Sequence, residues 1–182
     1  MSRNVNVTEN AAVVTIGAIN GGNRSNIIPE QVEMLGTVRT LSESDEELIF
    51  KRIREIVINT AEANGAQAVV ELPYSSHYPV TFNDIELTKN MVPSLQKAAG
   101  NDHVNLIPAE TGAEDFSFFA NEVPGFYFYV GALPKGQDPK TSASHHTPDF
   151  FLDESGFIVG VKAMLNLVSD YMEASSATYS KK

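Results

Sequence analysis

The chain has 182 residues, of which 42% are hydrophobic, enough for one ordinary domain or two small ones with a buried core. Thirteen Lys and Arg against 23 Asp and Glu give a formal net charge of −10, which opposes binding to a nucleic-acid backbone or an anionic membrane surface. No apolar run approaches the roughly 20 residues that cross a bilayer, and the lack of Cys excludes disulfides and thiolate metal sites.

The first two predicted elements are strands. β-Branched residues over 12–19 lead into the stretch 20–23, where two glycines permit the positive φ angles of a tight loop. Residues 31–39 alternate polar and apolar side chains with roughly the period of two that a half-buried strand shows. The alternation predicts that three apolar side chains point inward: Val32, Met34 and Val38. Arg39 is then predicted to point outward.

A helix follows the second strand. Ser44 and Glu47 have the spacing of a capping box, and Gly65 is expected to end the helix. The side chains that share one face at helical spacing are predicted to be buried. They are Ile49, Ile53, Ile56, Val57 and Thr60. Residues 67–72 predict a third strand, closed by Pro73, so that residues 1–82 form a compact α+β unit.

The character of the sequence changes near residue 83, which we take as a domain boundary. Asn83 or Asp84 is placed to cap a helix over 85–99. Pro93 is expected to interrupt this helix because it lacks a backbone N–H, and Gly100 is expected to stop it.

The remaining elements are shorter, apart from the last helix. A strand is predicted at 104–107, a helix at 115–120, and at 125–131 a strand whose aromatic residues on both faces suit burial on both sides. A helix over 155–172 precedes a polar tail at 175–182, which is expected to fray. The side chains that this helix is predicted to bury are Phe157, Val161, Met164, Leu165 and Val168.

His145 and His146 are the side chains best suited to bind a metal. A neutral imidazole is a good zinc ligand, and a nearby carboxylate such as Asp149 or Asp153 can fix its tautomer. Adjacent histidines rarely reach one ion together, and a zinc site needs three or four ligands, which this spacing does not supply. The alternative is a pair of surface loop histidines, and spacing alone favours that alternative.

Two further places carry polar groups that suit substrate binding. Glu114 and Asp115 come just before a predicted helix, where backbone N–H groups and the helix dipole favour negative charge. Such a turn can present an acid to a substrate, or it can simply cap the helix, and composition alone favours the cap. Asn26 and Arg39 can hydrogen-bond a substrate carboxylate, although residue type alone favours a turn Asn and a surface Arg.

A nucleotide site is rejected. Gly21 and Gly22 lie in a loop, but the phosphate-binding pattern GxxxxGK[ST] is absent, and no helix with the required Lys follows.

A series of short motifs extends in order from about Val13 to Tyr171. They are Gly21-Gly22, Asn26-Ile27-Ile28-Pro29, Gly36-Thr37-Val38-Arg39-Thr40, Tyr78-Pro79, Gly112-Ala113-Glu114-Asp115-Phe116-Ser117, Val123-Pro124-Gly125-Phe126, and His146-Thr147-Pro148 with Asp153-Glu154. Together they resemble the family of metal-dependent aminoacylases, carboxypeptidases and N-acyl-amino-acid amidohydrolases. The branch that includes hippurate and auxin-conjugate hydrolases is the most similar.

The resemblance implies an α/β fold, in which an α+β lid unit precedes the C-terminal part of an α/β zinc-peptidase-like catalytic domain. Residues 1–82 correspond to a partial lid or dimerisation domain, residues 83–174 to the C-terminal part of the catalytic domain, and residues 175–182 to the polar tail.

The resemblance also implies roles for the candidate residues. His146 matches a ligand of the family's metal pair. Asn26 and Arg39 resemble lid residues that hold the substrate's carboxylate. Glu114 and Asp115 match a turn that lines the catalytic cleft, where we expect substrate positioning.

The chain departs from the family at its start. Family members open with a segment that supplies most of the metal ligands and the carboxylate base, and no such segment is present, so the chain resembles a C-terminal fragment. The resemblance implies hydrolysis of the amide bond of N-acyl amino acids or peptide-like conjugates, with zinc, manganese or cobalt in the complete enzyme. We expect the chain alone to bind no metal and to be inactive.

Two alternatives remain open: a non-catalytic dimerisation or carboxylate-binding module, and one half of a split enzyme whose other half is a separate chain. The expected partners are an N-acyl amino acid or peptide-like substrate, the missing N-terminal catalytic half and a second copy, with no nucleic acid and no membrane. No signal peptide is visible, so the cytoplasm is the default location, although the natural N-terminus looks to be missing.

Overall fold

Mixed α/β structure is confirmed by a computed structural model, which describes residues 5–6, 11–75 and 77–179. Its strands and helices are β1 (Ala12–Asn20), β2 (Glu33–Thr40), α1 (Glu43–Ala63), α2 (Ile85–Ala99), α3 (Phe116–Glu122) and α4 (Ser155–Tyr179), with a 3₁₀ turn at Asn101–His103. The described part of the chain contains no helix that is both long and apolar enough to cross a membrane.

The chain divides into two compact units. Unit 1 comprises Met1–Thr81 together with Pro108–Phe119, and unit 2 comprises Phe82–Ile107 together with Ala120–Lys182. The chain first passes from unit 1 to unit 2 between Thr81 and Phe82, one residue before the boundary predicted from sequence. The segment 108–119, which the sequence assigned to the second region, belongs instead to unit 1.

Unit 1 is built on an antiparallel pair of strands. β1 pairs with β2 from Ala12 opposite Thr40 to Asn20 opposite Glu33, with an irregularity between Ile16 and Ala18. Gly36 is required in β2 because a Cβ at this position would lie 2.3 Å from the Thr15 carbonyl oxygen. The two strands therefore approach each other more closely here than any side chain would allow.

The predicted inward side chains of the second strand are mostly exposed. Val32 lies before β2 and is 52% exposed, Met34 is 61% exposed, and only Val38 is half-buried. The prediction for Val32 and Met34 is wrong because the described sheet has only two strands, and α1 packs near the end of β2 that contains Val38. Among the described residues of unit 1, the exposed Val32 and Met34 are not covered by a further layer.

The start of α1 also differs from the prediction. Ser42 is the N-cap, and its hydroxyl accepts a hydrogen bond from the Asp45 backbone N–H at 3.3 Å. The predicted capping box at Ser44 and Glu47 is therefore wrong by two positions, because the helix begins at Glu43. At the other end, Gly65 adopts φ 72° and donates its N–H to the Glu62 carbonyl, as predicted for a helix stop.

Only the first half of α1 buries the predicted apolar face. Ile49 is 4% exposed, whereas Ile56 is 53% exposed and Thr60 is exposed. α1 contacts β2, and the side chains of its later turns at 56–60 are exposed.

Unit 2 is dominated by the packing of α2 against α4. Asp84 caps α2 by accepting a hydrogen bond from the Leu87 N–H at 2.7 Å, and Gly100 ends the helix with φ 93°. The expected interruption at Pro93 is wrong, because α2 is continuous from Ile85 to Ala99. The buried side of α2 consists of Met91, Ser94 and Leu95.

The side of α4 that packs within unit 2 contains small residues at its closest contacts, not the large apolar ones predicted. Ala163 is 4% exposed, and a Cβ at Gly156 would meet the Ala132 Cβ at 2.9 Å. The side chains predicted to be buried are 54–63% exposed: Phe157, Val161, Met164, Leu165 and Val168. The prediction of their burial is wrong because α2 and the segment near Ala132 contact the opposite side of the helix.

The three other predicted strands, at 67–72, 104–107 and 125–131, are not strands in the described part of the chain. A strand requires a backbone partner, and in two of the three segments a side chain bonds the backbone instead. The Leu72 carbonyl accepts from the Arg54 guanidinium, and the Asn83 amide bonds both the N–H and the carbonyl of Tyr127, at 2.6 and 2.8 Å. α4 continues to Tyr179, so the predicted tail is helical at 175–179, while residues 180–182 lie outside the described residues.

Candidate functional site

His146 lies in an exposed loop of unit 2. Its backbone is in the left-handed region, with φ 63°, which is uncommon for a residue other than glycine. The His145 ring packs edge-on against Phe150 at 4.9 Å between centroids, and the centroids of the two imidazoles are 6.5 Å apart. The Thr147 hydroxyl donates to the Ser144 carbonyl at 2.7 Å, which closes the turn around His146.

The described residues do not form a metal site around His146. No group of three or more His, Cys, Asp or Glu side chains is placed to hold a metal ion in the part of the chain that the structure describes. Asp153, which could have oriented an imidazole, instead accepts a hydrogen bond from the Ser155 N–H at 2.9 Å where α4 begins. Hydrogen bonding by Ser155 lowers the pKa of Asp153 below its usual value. A metal pair therefore does not fit the donors that the structure describes.

Arg39 is hydrogen-bonded within unit 1. Its guanidinium Nη1 donates to the Thr111 carbonyl at 3.1 Å, which joins the end of β2 to the segment before α3. Both residues line a cavity of about 80 Å³. The cavity is formed by the end of β2, the start of α1 and the segments 78–81 and 110–113.

Glu114 and Asp115 lie in the turn before α3. The Glu114 carbonyl accepts from the Ser117 hydroxyl at 2.6 Å and from the Ser117 N–H at 3.2 Å, while the Asp115 carbonyl accepts from the Phe118 N–H at 3.1 Å. Ser117 is fully buried, so its two hydrogen bonds tie this turn to a buried residue. The Glu114 side chain is half-buried and that of Asp115 is exposed.

The structure brings together only part of the predicted set. Asn26 is exposed in the loop between β1 and β2, and it shares unit 1 with Arg39, Glu114 and Asp115, whereas His146 belongs to unit 2. Arg39 is joined by a hydrogen bond to the Thr111 carbonyl, three residues before Glu114.

One polar pair beside the cavity was not predicted. His77 Nε2 lies 2.7 Å from a carboxylate oxygen of Glu46, which lines the cavity. The two residues are 31 positions apart, so no local pattern links them. The only signal in the sequence is the presence of His77 next to the Tyr78-Pro79 motif.

The fold and the sequence together place the chain in a family of hydrolases. It belongs to Peptidase family M20/M25/M40, whose family model matches residues 6–170. The family resemblance inferred from the motifs is thereby confirmed.

The chain is also similar to curated proteins over nearly its whole length. The uncharacterized hydrolase y4tI of Sinorhizobium fredii is 30% identical over 97% of the chain, which covers 42% of that protein. The N-acetyldiaminopimelate deacetylase of Lacticaseibacillus paracasei is 31% identical over 94% of the chain, which covers 43% of it. The chain thus spans about two fifths of the length of the curated relatives it matches.

Solved structures agree with the fold. A crystal structure from methicillin-resistant Staphylococcus aureus matches 93% of the chain with a TM-score of 0.74 and 29% identity, and the chain covers 42% of it. The YXEP protein of Bacillus subtilis, a dinuclear metal-binding peptidase of the M20 family, matches 86% of the chain with a TM-score of 0.63 and 29% identity. The chain covers 41% of that protein.

Proposed function

We propose that this chain provides the C-terminal part of a metal-dependent amidohydrolase that cleaves the amide bond of N-acyl amino acids or peptide-like conjugates. Family membership supports the reaction class. Relatives named N-acetyldiaminopimelate deacetylase support an N-acylated amino acid as the class of substrate.

His146 is proposed as the one metal ligand that the chain contributes, to a zinc, manganese or cobalt site. The described residues do not supply a group of three or more ligands that includes it. The chain therefore needs other residues to complete the site, and we propose that it is inactive by itself. No step of the reaction is assigned to its residues alone.

The substrate-binding side is proposed to lie in the part corresponding to a lid, residues 1–82. Asn26 and Arg39 provide an amide and a guanidinium, which match the geometry of a carboxylate. Glu114 and Asp115 are proposed to position the substrate, and they belong to the same compact unit as Asn26 and Arg39.

The observation that carries the proposal is an exposed stripe on α4, which we name the α4 apolar face. Its members are 54–65% exposed: Phe157, Ile158, Val161, Met164, Leu165, Val168, Tyr171 and Met172. Contiguous apolar surface of this kind marks a contact with another protein surface. We propose that it packs against the N-terminal catalytic half that the longer relatives contain.

Reconstitution tests this proposal. The chain is mixed with the part of the L. paracasei relative that it does not cover, in zinc, manganese or cobalt, and release of the amino acid from an N-acetyl amino acid is measured. We expect turnover from the mixture, none from either piece alone, and none from a mixture containing His146→Ala. Turnover by the chain alone that His146→Ala abolishes would show that the second half is not needed.

Leu165→Glu separates association from chemistry, because Leu165 is 63% exposed on the α4 apolar face and lies in a different element from His146. We expect this variant to fold and to lose association with the second half. The matched control is Lys162→Glu, also on the exposed surface of α4, which should reconstitute normally. Equal reconstitution by both variants would exclude the α4 apolar face as the contact.

A second candidate function is a non-catalytic dimerisation or carboxylate-binding module. It is favoured by the sheet of unit 1, which has only two strands in the described residues and therefore offers outer strand edges for pairing. Light scattering for the mass in solution and titration with an N-acyl amino acid without metal test it. A dimer with saturable binding, combined with failed reconstitution, supports this candidate over the first.

A further inference from the structure

The segment 108–119 leaves unit 2 and joins unit 1. It enters unit 1 at Pro108 and returns to unit 2 between Phe119 and Ala120, within α3. Side chains of unit 1 hold it near both ends. Arg39 bonds the Thr111 carbonyl at 3.1 Å, and the Tyr78 ring packs against the Phe118 ring at 5.9 Å between centroids.

Among the described residues, the hydrogen bond from Arg39 is the one direct polar attachment of the first half of this segment. Residues 108–113 form neither helix nor strand. In the described ranges, no backbone–backbone hydrogen bond joins them to another part of the chain, and the Arg39 guanidinium is the only side chain shown bonding them. Arg39 itself is held by the pairing of β2 with β1, in which its partner is Val13.

We infer that Arg39 is a positioning residue, which fixes the segment 108–119 to the end of β2 through the Thr111 carbonyl. The turn with Glu114 and Asp115 follows Thr111 by three and four residues, so the position of both acids relative to the sheet depends on this bond. Its importance for catalysis rests on the proposed function; the attachment itself does not. A guanidinium has five N–H donors in a fixed fork, so bonding one carbonyl is compatible with holding a substrate carboxylate.

Hydrogen exchange measured by mass spectrometry on the whole chain tests the attachment. Arg39→Ala removes the donor, and Arg39→Lys keeps a cationic N–H donor but loses the planar fork of the guanidinium. Arg24→Ala is the matched control, an exposed Arg in the loop between the strands. Exchange at the Ser117 and Phe118 amides reports on the segment, because their N–H groups are bonded to the carbonyls of Glu114 and Asp115.

We expect exchange over 108–119 to be roughly three- to tenfold faster in Arg39→Ala, the size expected for losing one net hydrogen bond. Arg39→Lys should be intermediate, and the α2 and α4 amides should not change. Unchanged exchange over 108–119 would overturn the inference. Acceleration spread evenly over α1 and the β1–β2 pair would also overturn it, because it would reveal a general loss of stability.

The reconstituted enzyme separates this inference from the proposed function. If Arg39 positions the acids, Arg39→Lys lowers kcat; if it only holds the substrate's carboxylate, the variant raises KM and leaves kcat unchanged. A pure KM effect would overturn the positioning role. Failure to reconstitute any activity would count against the proposed function, while hydrogen exchange would still decide whether Arg39 fixes the segment.

Discussion

Ser94→Ala tests the packing that holds unit 2 together. Ser94 is 1% exposed, and its hydroxyl donates to Asp170 on α4 at 2.5 Å. Lys97 Nζ donates hydrogen bonds to both oxygens of the same carboxylate at 2.8 and 2.9 Å. The Asn166 amide donates to the Ser94 carbonyl at 3.2 Å. The Ser94 hydroxyl is thus the buried member of a polar cluster that links α2 to α4.

Removing the Ser94 hydroxyl should cost roughly 1–2 kcal/mol of the free energy of unfolding. A hydrogen bond to a charged group contributes about 1.5–3 kcal/mol. Alanine recovers up to roughly 0.5 kcal/mol through its higher helix propensity. The remaining partner, Lys97, keeps Asp170 paired in the variant, which limits the loss further.

Urea denaturation followed by circular dichroism at neutral pH measures this loss. The control is Ser169→Ala, the same chemical change at an exposed position of α4, which should alter the free energy of unfolding by less than about 0.5 kcal/mol. If Ser94→Ala were as stable as Ser169→Ala, the polar cluster would contribute nothing measurable to the packing of the two helices.

Three other substitutions have defined outcomes. In the folded state, the hydrogen bond from Lys97, which has the larger effect, and the one from Ser94 lower the pKa of Asp170 below its ordinary value of 3.8. The stabilisation by Asp170 is therefore complete above the pKa of the unfolded state and is lost as the pH falls through the pKa of the folded state. In urea titrations, the stability of Asp170→Asn should approach that of the wild type below about pH 4. A difference in stability that stays constant down to pH 2 would contradict this. Asp84→Ala removes the N-cap of α2 and should cost about 0.5–2 kcal/mol in the same assay, whereas an unchanged midpoint would show that the cap is dispensable. Gly36→Ala forces a Cβ against the Thr15 carbonyl oxygen and should speed amide exchange along β1 and β2; unchanged exchange would mean that the strands can separate without cost.

Helix positions were predictable from the sequence because their signals are local. Asp84 and Gly100 mark the ends of α2 at the predicted residues, and α4 begins at Ser155 as predicted. Which face of a helix is buried is not local information. Periodicity identified the apolar stripe of α4 correctly, but burial depends on what packs against it, and α2 contacts the side that contains Ala163.

Three strand predictions were wrong because pairing, like helix burial, depends on parts of the chain distant in sequence. The alternation of side chains at 125–131 is real, since the Tyr127 and Tyr129 rings lie on one side at 5.3 Å between centroids. A strand, however, is defined by pairing of its backbone, and for Tyr127 the partner is the amide of Asn83. No local pattern shows that a side chain will take the place of a neighbouring strand.

The sequence proposes the members of the candidate site, whose roles remain predictions, but it could not predict their contacts. Similarity to a family selected His146 and the Glu114-Asp115 turn as candidates. Residue chemistry alone favoured surface histidines and a simple helix cap at these positions. The bond between Arg39 and Thr111 joins residues 72 positions apart, and it depends on where the chain crosses between units. Sequence spacing contains no information about such a crossing.

The two sides of α4 would respond differently to systematic mutagenesis. Larger residues at Gly156 or Ala163 should unfold the chain itself, because the space there is already filled by its own atoms. Polar replacements along the opposite stripe should instead improve its solubility and yield while abolishing reconstitution. A library screened once for expression and once for activity would therefore separate residues that maintain this fold from residues selected for assembly.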